Sequence, residues 1–230
     1  MKLNENREGW RTKAFMWTLS IHRVLARLNN KTLRLVPLKY PLNLSDDDPR
    51  AATLELMARE IYRYDIEGST AELGVYQGTF ARLINHYFPD RKLYLFDTFE
   101  GFDERDAEAD RRENFSPATQ DLSATSVELV LSRMEHRENC IIRKGWFPET
   151  AEGVDEKFCF VSIDADLYQP TCAGLEFFYP RLVHGGVIMI HDFTHKEYHG
   201  VRQAVKEFCD RENIGYVCLS DSNGSAVIVK

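Results

Sequence analysis

No apolar run in this sequence approaches the ~18 residues a membrane span needs, so no integral membrane segment is expected. A secretory signal is not expected either. The apolar residues near the start are broken by Arg11, Lys13, His22 and Arg23, and no small-residue cleavage site follows. Cysteine is sparse, and Cys140, Cys159, Cys172, Cys209 and Cys218 show no C-x-x-C spacing. Their odd number and scatter argue against a disulfide framework and against a cysteine zinc site. Three of them lie inside apolar segments and are expected to pack there. A reducing, cytoplasmic setting fits this usage. Positive net charge is missing too: the chain carries −7, which disfavours general nucleic-acid binding. There is no internal repeat and no low-complexity tract.

What is present suits one α/β domain with an extension: 230 residues, 43% of them hydrophobic and 28% charged. Residues 1–40 hold nine Lys/Arg against only Glu5 and Glu8. Within this basic arm, Trp10, Ala14, Trp17, Ile21, Val24, Leu25 and Leu28 fall on one helical face over 10–28. The arm, taken as residues 1–48, reads as a solvated helix docked on its own domain. Its charge also suits an anionic membrane, an acidic partner or a second subunit, and a homo-oligomer built through this helix is expected.

The remaining residues, 49–230, read as the functional domain. Asp48 is placed as an N-cap and Pro49 as the first residue of a helix that buries Leu54, Met57, Ala58 and Ile61. From residue 69, strand and helix alternate. Buried strands are expected over 70–75, 92–97, 139–144, 158–164 and 186–191. Helices are expected over 79–88, 126–135, 170–182 and 200–212, the second capped by Thr125 with Glu128 completing a capping box. Two closing strands, 215–220 and 225–229, flank Asp221-Ser222-Asn223-Gly224, a hairpin signal. The result is a doubly wound, Rossmann-like sheet of seven strands with the last antiparallel. Residues 101–124 are left as one long irregular piece.

Ligands of such sheets bind beyond the carboxyl ends of the strands where strand order reverses. The first strand ends in Glu72-Leu73-Gly74-Val75-Tyr76-Gln77-Gly78. Gly74 permits a tight turn, and Gly78 lets the next helix start close to a ligand. The spacing is E-x-G-x-x-x-G. A dinucleotide pyrophosphate calls for G-x-G-x-x-G. S-adenosylmethionine has no phosphate, and a carboxylate at Glu72 suits its sulfonium or its amino group. Asp97 ends the second strand, where a carboxylate can grip ribose hydroxyls or else cap a helix. Tyr76 and Thr98 belong with these cofactor contacts. Gly145 and Trp146 end the third strand, and Trp146 can flank an adenine ring or pack in the core.

Asp164 ends the fourth strand, and His191 and Asp192 end the fifth. Neighbouring strand ends bring two carboxylates and an imidazole into one crevice. They can hold a divalent metal that polarises a hydroxyl. Alternatively, His191 can take the hydroxyl proton without a metal. Histidine suits Mn²⁺ or Zn²⁺ better than Mg²⁺. His195 and His199 continue an H-x-x-x-H-x-x-x-H pattern, which is read as a loop because Phe193 and Thr194 interrupt it.

As a set, Glu72–Gly78, Phe96–Phe102, Lys144–Pro148, Ile163–Tyr168 and Phe177–Leu182 resemble the macrocin O-methyltransferase (TylF-type) family over roughly residues 50–230. The resemblance implies S-adenosylmethionine, a hydroxyl acceptor that is often a sugar on a natural product, and usually Mg²⁺. It maps the metal ligands onto Asp164, His191 and Asp192, with His191 standing where sugar-modifying members have Asp. Those members also use a histidine base after the second strand, and residues 101–124 contain none.

The expected activity is S-adenosylmethionine-dependent O-methylation of a small molecule, with His191 and Asp164 as catalytic groups and Mg²⁺ or Mn²⁺ as the candidate metal. Its rivals are a non-catalytic methyltransferase-like binding module and a nicotinamide-dependent oxidoreductase.

Overall fold

The computed structural model describes residues 48–230. The helix expected over 10–28, and the oligomer contact assigned to it, lie outside the described residues. Helix α1 (Asp48–Arg63) starts beside Pro49, whose fixed φ suits a first helical turn. It turns Leu54, Ala58 and Ile61, at i, i+4 and i+7, into the core. Among the described residues no helix is long and apolar enough to cross a membrane.

Seven strands form one sheet in the order β3-β2-β1-β4-β5-β7-β6. They are β1 (Ser69–Leu73), β2 (Leu93–Asp97), β3 (Cys140–Lys144), β4 (Phe158–Ile163), β5 (Leu182–Ile190), β6 (Val217–Leu219) and β7 (Ser225–Val229). Neighbours from β3 to β5 pair in parallel, and β7 runs antiparallel to both β5 and β6. The chain moves outward from β1 to β3 and then returns to place β4 against β1. The reversal therefore lies between the ends of β1 and β4, where an open sheet binds its ligand.

Both faces of the sheet are covered, so the central strands are buried throughout and mostly apolar, with Ser69, Thr70, Glu72 and Ser162 as buried polar exceptions. Ala71, Tyr94, Phe96, Ile188 and Ile190 face α5 (Tyr168–Arg181) and α6 (His199–Glu212). Leu93, Leu95, Phe160 and Met189 face α1 and α2 (Thr79–Tyr87). Each fully buried Leu, Ile, Met or Phe among them contributes about 1.5–3 kcal/mol. Beneath the ligand end, Phe96 meets Phe147 edge to face at 5.5 Å and Phe178 at 5.7 Å. That packing fixes Phe147, and with it the Gly145–Trp146 segment at the end of β3.

Three local expectations change. Residues 101–124 are not one irregular piece: they contain α3 (Glu104–Glu113), capped by Asp103, whose side chain accepts from the Arg105 amide. The cap of α4 (Val127–Ser132) is Ser126, not Thr125, and the helix is shorter than expected. The Thr125 hydroxyl instead donates to the Tyr76 carbonyl and ties this segment to the glycine turn. The strand expected over 186–191 begins earlier, at Leu182, directly after α5.

Candidate functional site

At the switch point, a crevice opens above the ends of β1, β2, β3 and β4. Gly74 forms its floor with φ 83°. A Cβ there would lie 2.0 Å from the Asp164 carbonyl oxygen, so no other residue fits. The close approach is held by two ladder bonds, Asp164 N to Leu73 O at 2.8 Å and Gly74 N to Phe96 O at 2.9 Å. Gly78 caps α2 with φ 77° but packs against Val130 and Met134 and does not line the crevice.

Asp97 ties the glycine turn to the end of β2. Its Oδ2 accepts from the amides of Val75 at 2.6 Å and Tyr76 at 2.8 Å, and its Oδ1 accepts from Phe99 N at 2.6 Å. Asp97, Thr98 and Tyr76 all line the crevice. On the far side stand Gly145 and Trp146. The Trp146 indole donates to Asp106 Oδ2 at 2.9 Å, and the Arg105 guanidinium lies 3.8 Å from the centre of its ring. Asp106 comes from the first turn of α3 and is buried. Burial pushes its carboxyl up to about 6, against the lowering effect of the Trp146 bond.

Asp164 and Asp166 line the crevice beyond β4. His191 and Asp192 sit behind Asp164, outside the crevice lining. His191 Nδ1 lies 3.1 Å from Asp164 Oδ1 and 3.2 Å from Asp192 Oδ2. Asp164, His191 and Asp192 each place a donor atom within 4.8 Å of the others. The other Asp164 oxygen accepts from Arg50 at 2.9 Å, and Arg50 also donates to Ser162 Oγ at 3.1 Å while its guanidinium lies 3.7 Å over Phe80. Burial alone would raise Asp164, but the charges of Arg50 and His191 outweigh it and hold this carboxyl well below the usual range. Asp166 moves the opposite way. Burial, then the negative charges of Asp192 and Asp164, push it well above the usual range, and it hydrogen-bonds Asp192.

Glu72, expected at the cofactor, lies inside the sheet. It is 1% exposed, and its register partners are Leu95 and Ser162. Its Oε2 has no hydrogen-bond partner, and burial raises its carboxyl well above the ordinary value despite Arg50 nearby. Its contribution is therefore to the polar interior beneath the turn. His195 is in a loop and His199 opens α6, so the three histidines do not share a helix.

Sequence reasoning missed Arg50, Asp103, Asp106 and Asp166. Asp166 had a signal, as the second acid of an Asp164-Ala165-Asp166 strand end, and the structure gives it φ 59°. Asp103, Asp106 and Asp110 recur at i, i+3 and i+7 and mark an acidic face on α3 that turns inward. Arg50 carried no signal.

A profile of the family described as macrocin-O-methyltransferase (TylF) matches residues 47–221. The chain is 27% identical over 190 residues to the 8-demethyl-8-(2,3-dimethoxy-alpha-L-rhamnosyl)-tetracenomycin-C 4'-O-methyltransferase of Streptomyces olivaceus, covering 77% of this chain and 71% of that one. It is 28% identical over 179 residues to the mycinamicin III 3''-O-methyltransferase of Micromonospora griseorubida, covering 72% and 69%. Among solved structures, the O-methyltransferase NovP superposes with a TM-score of 0.64 at 20% identity over 79% of each chain, which supports the same fold. With the reversed strand order, the antiparallel β7 and the E-x-G-x-x-x-G turn, these matches establish that the chain belongs to the macrocin-O-methyltransferase (TylF) family of S-adenosylmethionine-dependent methyltransferases.

Proposed function

We propose that this enzyme methylates a sugar hydroxyl of a glycosylated small molecule, with Asp166 taking the hydroxyl proton and Asp164, His191 and Asp192 holding a divalent cation. The observation that carries this reading is the placement of Asp166. Its carboxylate lines the crevice beside Asp164 and Gly74, whereas His191 lies behind, its Nδ1 facing two carboxylates. A base must reach the proton it removes, and that geometry suits Asp166 better than His191. The name of the Streptomyces relative specifies a rhamnosyl acceptor, which supports a sugar hydroxyl here.

The cofactor's residues follow from the crevice. The Gly74 turn would receive the methionine part, Asp97 the ribose, and Trp146 the adenine ring. When bound, S-adenosylmethionine supplies an electrophilic methyl group. The chain's part is to hold the acceptor oxygen in line with it and to exclude water, which can supply much of the rate enhancement.

The donor set fits a divalent cation. Gaps of 3.1 and 3.2 Å between donor atoms resemble the ~3 Å edges expected around an ion with ligands at about 2.1 Å. Arg50 donates to Asp164 Oδ2, and Oδ1, which faces His191 Nδ1, is the oxygen that would turn to an ion. The carboxyls of Asp164, Asp166 and Asp192 repel one another, and added positive charge relieves that. A nitrogen donor favours Mn²⁺ over Mg²⁺. Held by Asp164, His191 and Asp192, such an ion would supply positive charge at the Asp164 side of the crevice, which would lower the pKa of an acceptor hydroxyl placed there.

The test is methyl transfer, followed by mass spectrometry, to glycosides and their aglycones, with wild type and Asp166→Asn. Glycosides should be methylated on the sugar, and Asp166→Asn should lower kcat by about 10²–10⁴-fold. Methylation of the aglycones alone, or an unchanged kcat in Asp166→Asn, sinks the proposal.

A further inference from the structure

We infer that Asp106 reads the 6-amino edge of the cofactor's adenine, making α3 the element that selects adenine over other purines. The inference rests on the cofactor placement proposed above. Three observations carry it beyond that placement. Asp106 is 6% exposed yet lines the crevice, so its free surface faces the ligand space. Its Oδ2 is taken by the Trp146 indole at 2.9 Å, while no hydrogen bond among the described residues reaches Oδ1. Arg105 covers one face of Trp146 without lining the crevice, so the other face is the one offered to a ring within it. A base stacked on that face has its edge beside Asp106.

The chemistry then selects the base. A carboxylate only accepts hydrogen bonds. The 6-amino group of adenine donates, whereas the 6-oxo group of hypoxanthine accepts and would be repelled. A buried acceptor left without its donor adds to the discrimination. Trp146 holds the carboxylate in place, and the Asp103 cap fixes the first turn of α3 that carries it. At the opposite end of α3, Asp110 accepts from Ser116 Oγ at 2.8 Å and from Tyr168 N at 3.0 Å, which anchors the helix on the start of α5. Asp106 is thus a rigidly mounted acceptor.

Asparagine at this position gives a sharp test. Its Oδ1 can keep the Trp146 bond, which turns its NH₂ donor toward the crevice. Calorimetry at pH 8 would compare S-adenosylhomocysteine with S-inosylhomocysteine on the full chain. Wild type should prefer the adenine ligand by about ten- to a hundredfold, the range for one hydrogen bond to a charged group. Asp106→Asn should bind the inosine ligand more tightly than wild type does and bind the adenine ligand more weakly, so that the preference disappears or inverts. A gain of affinity cannot come from misfolding. Asp106→Ala should also lose the preference. If Asp106→Asn keeps the wild-type preference, or weakens both ligands equally, Asp106 only supports Trp146 and the inference falls. Asp97→Ala separates the two failures. If it weakens both ligands while Asp106→Asn keeps the wild-type preference, the cofactor placement stands and only the Asp106 inference falls. If it changes neither affinity, both fall.

Discussion

The Arg50 guanidinium lies 2.9 Å from the Asp164 carboxylate, and Arg50 is 2% exposed. The pair joins the first turn of α1 to the end of β4. Removing one partner of a buried pair leaves the other charge uncompensated, and this typically costs about 3–5 kcal/mol. Arg50→Ala should lose stability on that scale in chemical denaturation. Arg50→Lys should recover only part, because one ammonium cannot reproduce the fork that holds Asp164 and Ser162 together. Asp164→Asn added to Arg50→Ala should cost less than the sum of the single changes. Strict additivity would mean that the pair is not a unit.

The two glycines of the turn should respond differently to the same substitution. At Gly74 an added Cβ meets backbone at 2.0 Å, and backbone cannot move aside without breaking the β1–β4 ladder. At Gly78 it meets the Val130 and Met134 side chains at 3.1 Å, which can shift by tenths of an ångström. Both also carry positive φ, a strain of about 1–2 kcal/mol for alanine. Gly74→Ala should fail to accumulate as folded protein or lose S-adenosylhomocysteine binding. Gly78→Ala should fold with a lowered melting temperature. Equal behaviour in a thermal melt would contradict the close approach at Gly74.

His191 sets the expected metal preference. With an imidazole beside Asp164 and Asp192, the chelated enzyme should recover more activity with Mn²⁺ than with Mg²⁺. His191→Asp makes the set all oxygen and should shift the preference toward Mg²⁺. Mn²⁺ binding measured by electron paramagnetic resonance gives a readout independent of turnover. No binding to wild type would remove the cation from the proposal.

The strand ends were legible because a buried parallel strand is a continuous apolar run, and its final polar residue is conspicuous. Asp97, Asp164 and His191 stand out in the sequence for that reason, and the structure places each at or just after the end of its strand. The same rule reads Glu72 as a strand-end residue, whereas it lies within β1, buried beside Arg50 and Ser162, which the sequence does not show to be its neighbours. Helix α3 was hidden because its inward face is acidic, and only Ala107 and Ala109 interrupt its charged residues. Hydrophobic periodicity has nothing to follow there. Arg50 was invisible for a different reason: its role depends on how α1 rotates over β4, which is a tertiary fact. Ser126 and Thr125 are adjacent and share their capping chemistry, so only their bonds separate them: Ser126 accepts from Leu129 N, and Thr125 donates to the Tyr76 carbonyl.

The site should destabilise the protein in a way that pH reveals. Burial raises the Asp106 carboxyl to about 6, with Asp103 and Asp110 adding to the rise and Trp146 and Arg105 opposing it. The unfolded chain releases this proton near the ordinary carboxylate value of about 4. Between about pH 4 and 6, the folded state therefore binds more protons than the unfolded state, and stability falls as pH rises through that window. The loss is complete above about pH 7 and amounts to at most about 3 kcal/mol. Asp106→Asn keeps the indole bond but cannot ionise. It should match wild type near pH 4 and be more stable by about 2–3 kcal/mol at pH 8, measured by denaturant melts at both values. A difference independent of pH would mean that Asp106 is not held as a buried acid. The expected pattern would instead show a carboxylate kept at a cost in stability, which is the behaviour of a group retained for ligand contact.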